Sequence, residues 1–120
     1  MDIEEIRAFC LTLPETTENF PFDEVTLVFK VCGKMFLILP LDGDTRSVSV
    51  KCDPEQAVEL REKYQCVIPA YHFNKKHWNT IYLTGEMQTS ELQYWIMHSY
   101  KKVIEKLSRK DKLKLSRYDE

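Results

Sequence analysis

A chain of 120 residues, 43% hydrophobic and 30% charged, has the size of one domain with a single core and the composition of an ordinary soluble globular protein. Its acidic start, MDIEEIRAFC, lacks the apolar run of a secretory signal, and no stretch nears the roughly 18 consecutive apolar residues of a membrane span. The expectation is therefore a single domain over residues 1–120, cytoplasmic, with no membrane partner.

The net charge of −2 conceals a polarity along the chain: residues 1–60 carry 5 Lys/Arg against 12 Asp/Glu, and residues 61–120 carry 12 against 7. Such asymmetry suits either an anionic partner on one face or a solvated helix end. The stretch KKVIEKLSRKDKLKLSR, residues 101–117, reads as the end of a helix followed by a basic tail frayed from about residue 108. The four cysteines (Cys10, Cys32, Cys52, Cys66) follow no C-x-x-C spacing, so reduced, structural thiols are expected.

In chain order, Asp2 and Glu5 make a capping-box start for a helix whose apolar stripe is Ile3, Ile6, Phe9 (or Cys10) and Leu13, stopped by Pro14. The polar connection ETTENFPFDE follows, with Phe20 or Phe22 anchoring it on the core. VTLVFKV (25–31) alternates as a strand. Gly33 then suits a tight hairpin into MFLILP (35–40), a central strand. The next turn is LDGDT, where Asp42-Gly43 is a favoured hairpin pair, and it leads into a third strand, RSVSVK (46–51).

Asp53 as N-cap and Pro54 at the first helical position open a second helix with Ala57, Leu60 and Tyr64 inward. CVIP and NTIYLT read as two more strands, and a last helix begins near Thr89 or Ser90. Its stripe is Leu92, Ile96, Ser99, Val103 and Leu107. The order predicts an α+β domain: one twisted antiparallel sheet of about five strands, with the terminal helices packed on one face.

The chemistry concentrates in AYHFNKKHWNTIYL, residues 70–83. His72 and His77 are five apart, not on one helical face, and no carboxylate is nearby in sequence, so no metal site is expected. No G-x-S-x-G elbow and no glycine-clustered phosphate loop occurs. A spatial Cys66–His72 pair is the residual nucleophile option, and the expectation is a non-enzyme with no cofactor and no evident small-molecule substrate. Lys75 and Lys76 can neutralise phosphates, Asn74 and His77 can donate to phosphate or base edges, and Tyr71, Phe73 or Trp78 can stack on a base. Trp78, Ile81 and Leu83 read instead as core, with Trp78 facing the helices.

PAYHFNKKHWNTIYL, together with VFKVCGKMF, SYKKVIEKL, KCDPEQAVELREKY and the spaced Leu13, Pro14, Glu18, Pro21 and Phe22, resembles the MmcQ/YjbR family of small bacterial proteins. The sequence departs from the family pattern at Asp23 and Ala70, where glycine is common. The resemblance implies a frataxin-like (CyaY-like) fold and a double-wing arrangement linked to DNA binding. The leading expectation is thus a protein that binds double-stranded DNA through its phosphates with little sequence discrimination. Asn74, Lys75, Lys76 and His77 form the corner, Lys101 and Lys102 extend it, and Lys30, Lys34 and Lys51 supply wing contacts. A sequence pI near 5.9 weighs against this reading. One alternative is a protein-interaction module using the open sheet face (Thr26, Val28, Lys30, Ser47, Ser49); another is weak binding of a hard cation by Asp2, Glu4, Glu5, Glu15 and Glu18.

Overall fold

The computed structural model describes residues 1–119. The elements are α1 (Ile3–Leu11), β1 (Thr16–Asn19), β2 (Thr26–Val31), β3 (Lys34–Pro40), β4 (Ser47–Lys51), α2 (Pro54–Lys63), β5 (Val67–Pro69), β6 (Trp78–Tyr82), α3 (Thr89–Glu105), α4 (Arg109–Ser116) and a final 3-10 turn. The strands form one antiparallel sheet of six, in the order β1-β2-β3-β4-β6-β5. The α+β class is therefore as read from sequence.

Local signals explain the helix starts. The Asp2 carboxylate accepts the Glu5 N–H at 2.8 Å, and the Glu5 carboxylate accepts the Asp2 N–H at 3.2 Å. This reciprocal box satisfies two donors that a helix start otherwise leaves bare. Asp53 caps α2 through the N–H groups of Glu55 and Gln56. Between β2 and β3, Cys32 and Gly33 both take positive φ (47° and 80°), the backbone of a two-residue hairpin turn whose twist matches the strands.

Two elements differ from the sequence reading. TTEN, expected in a loop, is the edge strand β1, with Thr16 opposite Val31 and Asn19 opposite Val28. Its inward positions carry no large apolar side chain: Glu18 lies on the helix side, where Arg7 of α1 holds it with contacts of 2.6–3.0 Å. The tail expected to fray is helical over Arg109–Ser116: α3 stops at the Lys106 cap, and the Ser108 hydroxyl accepts the Asp111 N–H to start α4.

One face of the sheet carries the main core. Ile6 and Cys10 of α1, Ala57 and Leu60 of α2, and Leu92, Ile96 and Val103 of α3 meet Phe29, Leu37, Leu39, Val48, Val50 and Ile81 there. Ser99 of α3 reaches the sheet where β3 and β4 part. Their pairing covers only Leu37–Val50 and Ile38–Ser49, and the Ser99 hydroxyl bridges the next pair, donating to the Phe36 carbonyl and accepting the Lys51 N–H. Beside it, His98 Nε2 accepts the Asp53 N–H at 3.1 Å.

The other face holds a smaller cluster of Val28, Ile38, Ala70 and Trp78, joined by Met35 and Phe73. Trp78 is buried, as expected, but faces away from the helices. The physical reason is the strand period of two: Trp78 and Ile81 are three apart, so they must project to opposite faces. Among the described residues, no helix is long and apolar enough to cross a membrane.

Candidate nucleic-acid interface

Strand directions sort the charges. The β2–β3 hairpin with Lys34, the end of β4 at Lys51, the end of β5 and the start of β6 after His77 all fall at one end of the sheet, as the pairings Val31–Lys34, Lys51–Trp78 and Pro69–Asn79 require. The opposite end collects the loops with Asp23, Glu24, Asp42, Asp44 and Glu86. The polarity along the chain thus becomes in part a polarity in space, with Asp53 and Glu105 remaining at the basic end.

At the basic end, loop 70–77 is rigidly tied. The Asn74 carbonyl accepts the N–H groups of His77 and Trp78 at 3.0 and 2.8 Å, and Asn74 Oδ1 accepts the Lys76 N–H at 3.1 Å. Asn74 therefore shapes the corner, and its side-chain oxygen is already engaged. Lys75 and Lys76 are exposed, with Lys75 Nζ 5.1 Å from the Tyr71 ring centroid, a cation–π distance. The His77 carbonyl accepts the Cys52 N–H at 2.7 Å, fixing the backbone of the corner beside the end of β4.

The His77 imidazole is held below its ordinary range, first by burial and then by the positive charges of Lys106, Lys51 and Lys76. Burial, then Lys106, likewise lowers the Lys51 ammonium. Lys51, Lys76, His77 and Lys106 therefore share one neighbourhood, built from β4, loop 70–77 and the end of α3. Lys106 belongs to it although sequence reasoning did not single it out; it sits just beyond the α3 stripe, one turn after Lys102.

Lys102 is less available. It lies 3.9 Å from Asp53 and 3.7 Å from Glu105, so part of its charge is already compensated. Lys101 is exposed on the same helix. Lys30 is half-buried beside Thr17 on the edge of the open face, and Lys34 is exposed at the hairpin tip. Among the described residues, Lys30, Lys34, Lys51, Lys75, Lys76, Lys101 and Lys106 stand outside every salt bridge.

Sequence reasoning also missed the support of the corner. Asn79, fully buried, donates to the Ala57 carbonyl at 3.2 Å and accepts from Arg61 Nε at 2.7 Å. Arg61 donates as well to the Lys75 carbonyl. One arginine on α2 thereby fastens both β6 and the basic loop. A polar residue inside an alternating strand was the available signal.

The other chemistries weighed from sequence find little geometry. Cys66 lies in the core on the helix side, its N–H bonded to Glu86, whereas His72 borders the opposite face; the two do not pair. Burial pushes the Cys10 thiol up to about 12 and the Cys52 thiol up to about 11, away from thiolate reactivity. All four cysteines are free of disulfides. Of the acidic residues near α1, Asp2 and Glu5 cap the helix, Glu18 is held by Arg7, and Glu15 accepts the Tyr118 hydroxyl. Among the described residues, no group of three or more His, Cys, Asp or Glu is gathered to hold a metal ion.

Comparison with known proteins agrees with this fold. The YjbR family model matches residues 11–102. The chain is 31% identical over 104 residues to the uncharacterized protein YjbR of Escherichia coli K12, covering 87% of this chain and 88% of that one. It is 30% identical over 108 residues to YbdF of Escherichia coli O157:H7, covering 90% and 88%. Among solved structures, Deinococcus radiodurans DR2400, a DUF419 domain, superposes with a TM-score of 0.88 at 37% identity, covering 95% of this chain and 87% of that one. A Pseudomonas syringae protein superposes with a TM-score of 0.72 at 26% identity, covering 82% and 96%. With its sequence motifs, its α+β architecture and these relatives in agreement, the chain belongs to the YjbR (MmcQ/YjbR) family.

Proposed function

We propose that this protein binds double-stranded DNA through its phosphates, with little sequence discrimination, using the basic end of the sheet. The observation that carries the reading is the gathering of Lys51, Lys76 and Lys106 around His77, with Lys75 exposed on the same loop and Lys101 exposed on α3, against Asp53 and Glu105, which offset part of the charge. Clustered cations release counterions from a polyanion and bind it without reading bases. An acidic pI is compatible with this reading, because Asp23, Glu24, Asp42, Asp44 and Glu86 lie at the opposite end, while Asp53 and Glu105 offset only part of the charge at the basic end.

In this reading the sheet is frataxin-like (CyaY-like) and serves as a double wing. The β2–β3 hairpin with Lys30 and Lys34 is one wing and loop 70–77 is the other, with Lys51 between them. Lys102 is a minor contributor because Asp53 and Glu105 compete for it. The protein acts as a binding module rather than a catalyst, and a cytoplasmic location goes with that role.

Affinity for duplex DNA should fall linearly with the logarithm of salt concentration. The Lys75→Ala/Lys76→Ala double variant should flatten that slope by roughly 1.8 units, about two phosphate contacts, equally on unrelated sequences. Folding should be nearly unchanged, since exposed charges contribute little to stability. A salt-independent signal, or no binding by the unmodified protein near physiological salt, would overturn the proposal.

A further inference from the structure

Loops from opposite edges of the sheet meet over its open face. Phe22, between β1 and β2, and Phe73, between β5 and β6, bring their ring centroids to 6.4 Å, and Phe73 leans on Trp78 at 5.8 Å. Against the sheet beside this arch lies a cavity of about 610 Å³, within the range typical of small organic ligands.

The floor of the cavity is rich in hydroxyls. Ser49 Oγ and Thr80 Oγ1 share a hydrogen bond of 2.8 Å across β4 and β6. One hydroxyl proton serves that bond, and the pair keeps further lone pairs and a second proton for an occupant. Ser47 and Tyr82 lie in the same row. Phe22, Tyr71 and Phe73 form aromatic walls, and Ile38 and Ala70 are apolar. A mostly apolar chamber with a few convergent polar groups is the usual make-up of a ligand site.

Charge selects among ligands. Among the described residues, Asp23 is the one carboxylate in the wall, His72 is its one imidazole, and no lysine or arginine lines it. Asp23 Oδ1 accepts the N–H groups of Val25 and Thr26 at 2.9 and 2.7 Å, and Oδ2 accepts the Thr26 hydroxyl at 3.0 Å. The Val25 N–H, with the Thr26 hydroxyl and N–H, keeps this carboxyl below its usual range. Oδ2 retains a free lone pair. An anionic ligand meets a fixed negative charge there, whereas a cation meets that charge and the electron-rich faces of the rings.

We propose that the cavity binds a small organic cation, an amine or amidine on an aromatic body, with Asp23 as counter-ion, Phe22 and Phe73 against the body, and the Ser47, Ser49 and Thr80 hydroxyls accepting its N–H groups. The floor of the site lies toward the middle and acidic end of the strands, while its Tyr71, His72 and Phe73 wall belongs to the loop 70–77 that also carries Lys75 and Lys76. Lys75 lies over the ring of the wall residue Tyr71. It opposes a cationic ligand, so its removal does not weaken this site.

The experiment titrates the full chain with benzamidine and, separately, with benzoate, at about pH 8, where an ordinary imidazole is neutral. Backbone amide shifts by NMR are the readout. Benzamidine should give saturable shifts centred on Thr26, Ser49, Phe73 and Thr80, with affinity roughly five- to tenfold above that of benzoate. Asp23→Asn should cut that preference to the part the aromatic faces supply, and Phe73→Leu should weaken benzamidine while keeping the part that depends on Asp23. Because Asp23→Asn also touches a turn, the matched pair of probes on the unmodified protein stands as an independent arm. Lys75→Ala should leave benzamidine affinity undiminished while lowering DNA affinity, so this proposal and the DNA reading fail separately. Equal affinity for benzoate, or no saturable shifts with millimolar benzamidine, would overturn it.

Discussion

The two faces of the sheet are made by the same strands and do different things. On β4, Val48 and Val50 enter the core beneath the helices, while Ser47 and Ser49 line the cavity on the other side. On β6, Asn79 and Ile81 face α2 and α3, and Thr80 and Tyr82 face the cavity. The helix face is continuously covered by α1, α2 and α3. The other is sealed only near Trp78, where the loop carrying Ala70 and Phe73 folds back. A row of hydroxyls beside aromatic loops differs from a fully solvated face, because Ser49 is buried and the Ser49–Thr80 pair keeps hydrogen-bonding capacity beyond its mutual bond.

The contrast between the faces should break most severely on the helix side. Phe36 is fully buried and meets Tyr100 edge-to-face at 5.3 Å, so Phe36→Ala should cost about 3–5 kcal/mol by chemical denaturation. Trp78→Ala should cost about 3 kcal/mol, the low end of that range, because Phe73 can settle toward the space it leaves. An equal or larger loss at Trp78 would mean that the open face is a second core rather than a lined surface.

Ser99→Ala should cost about 1–3 kcal/mol, since it strands the Phe36 carbonyl and the Lys51 N–H where β3 and β4 part. Faster amide exchange at Lys51 should accompany the loss. An unchanged Lys51 exchange rate would show that the strands are held there by other contacts.

A smaller effect depends on pH. His98 accepts the Asp53 N–H through Nε2, which requires the unprotonated ring. Burial first, and then Lys102, hold its imidazole below the ordinary range. The unfolded chain therefore takes up this proton more readily than the native one, and stability falls as pH drops through the ordinary histidine range, about pH 6.5. Denaturation curves between about pH 5 and 7 should show that slope, and His98→Gln should reduce it.

Much of this is legible in the residues themselves. The Asp2–Glu5 box, the Asp53-Pro54 start and the alternation of Val48 and Val50 locate their elements, because each is a local signal. β1 escapes a sequence reading because TTEN is an edge strand whose inward carboxylate is answered by Arg7 from another element. α4 escapes it although Ser108 and Asp111 stand at capping distance in sequence, because the density of lysines suggests a solvated tail. The expected face of Trp78 is wrong even though its spacing from Ile81 settles the matter. The corner at residues 74–77 is legible, but its continuation to Lys51 and Lys106 is made by folding, and the compensation of Lys102 by Asp53 joins residues far apart in the chain. The cavity leaves no local motif at all: Phe22 and Phe73 meet only when loops from both sheet edges close over the face.

The basic end is best tested at His77 itself, by following its imidazole resonances through a pH titration with and without duplex DNA at low salt. Its free imidazole should titrate below the ordinary histidine range, because of burial and the neighbouring charges of Lys106, Lys51 and Lys76. Phosphates bound among those lysines should raise its pKa, so binding takes up a proton and tightens as the pH falls. An imidazole whose titration is the same with and without bound DNA would contradict the account, since the DNA would then lie elsewhere.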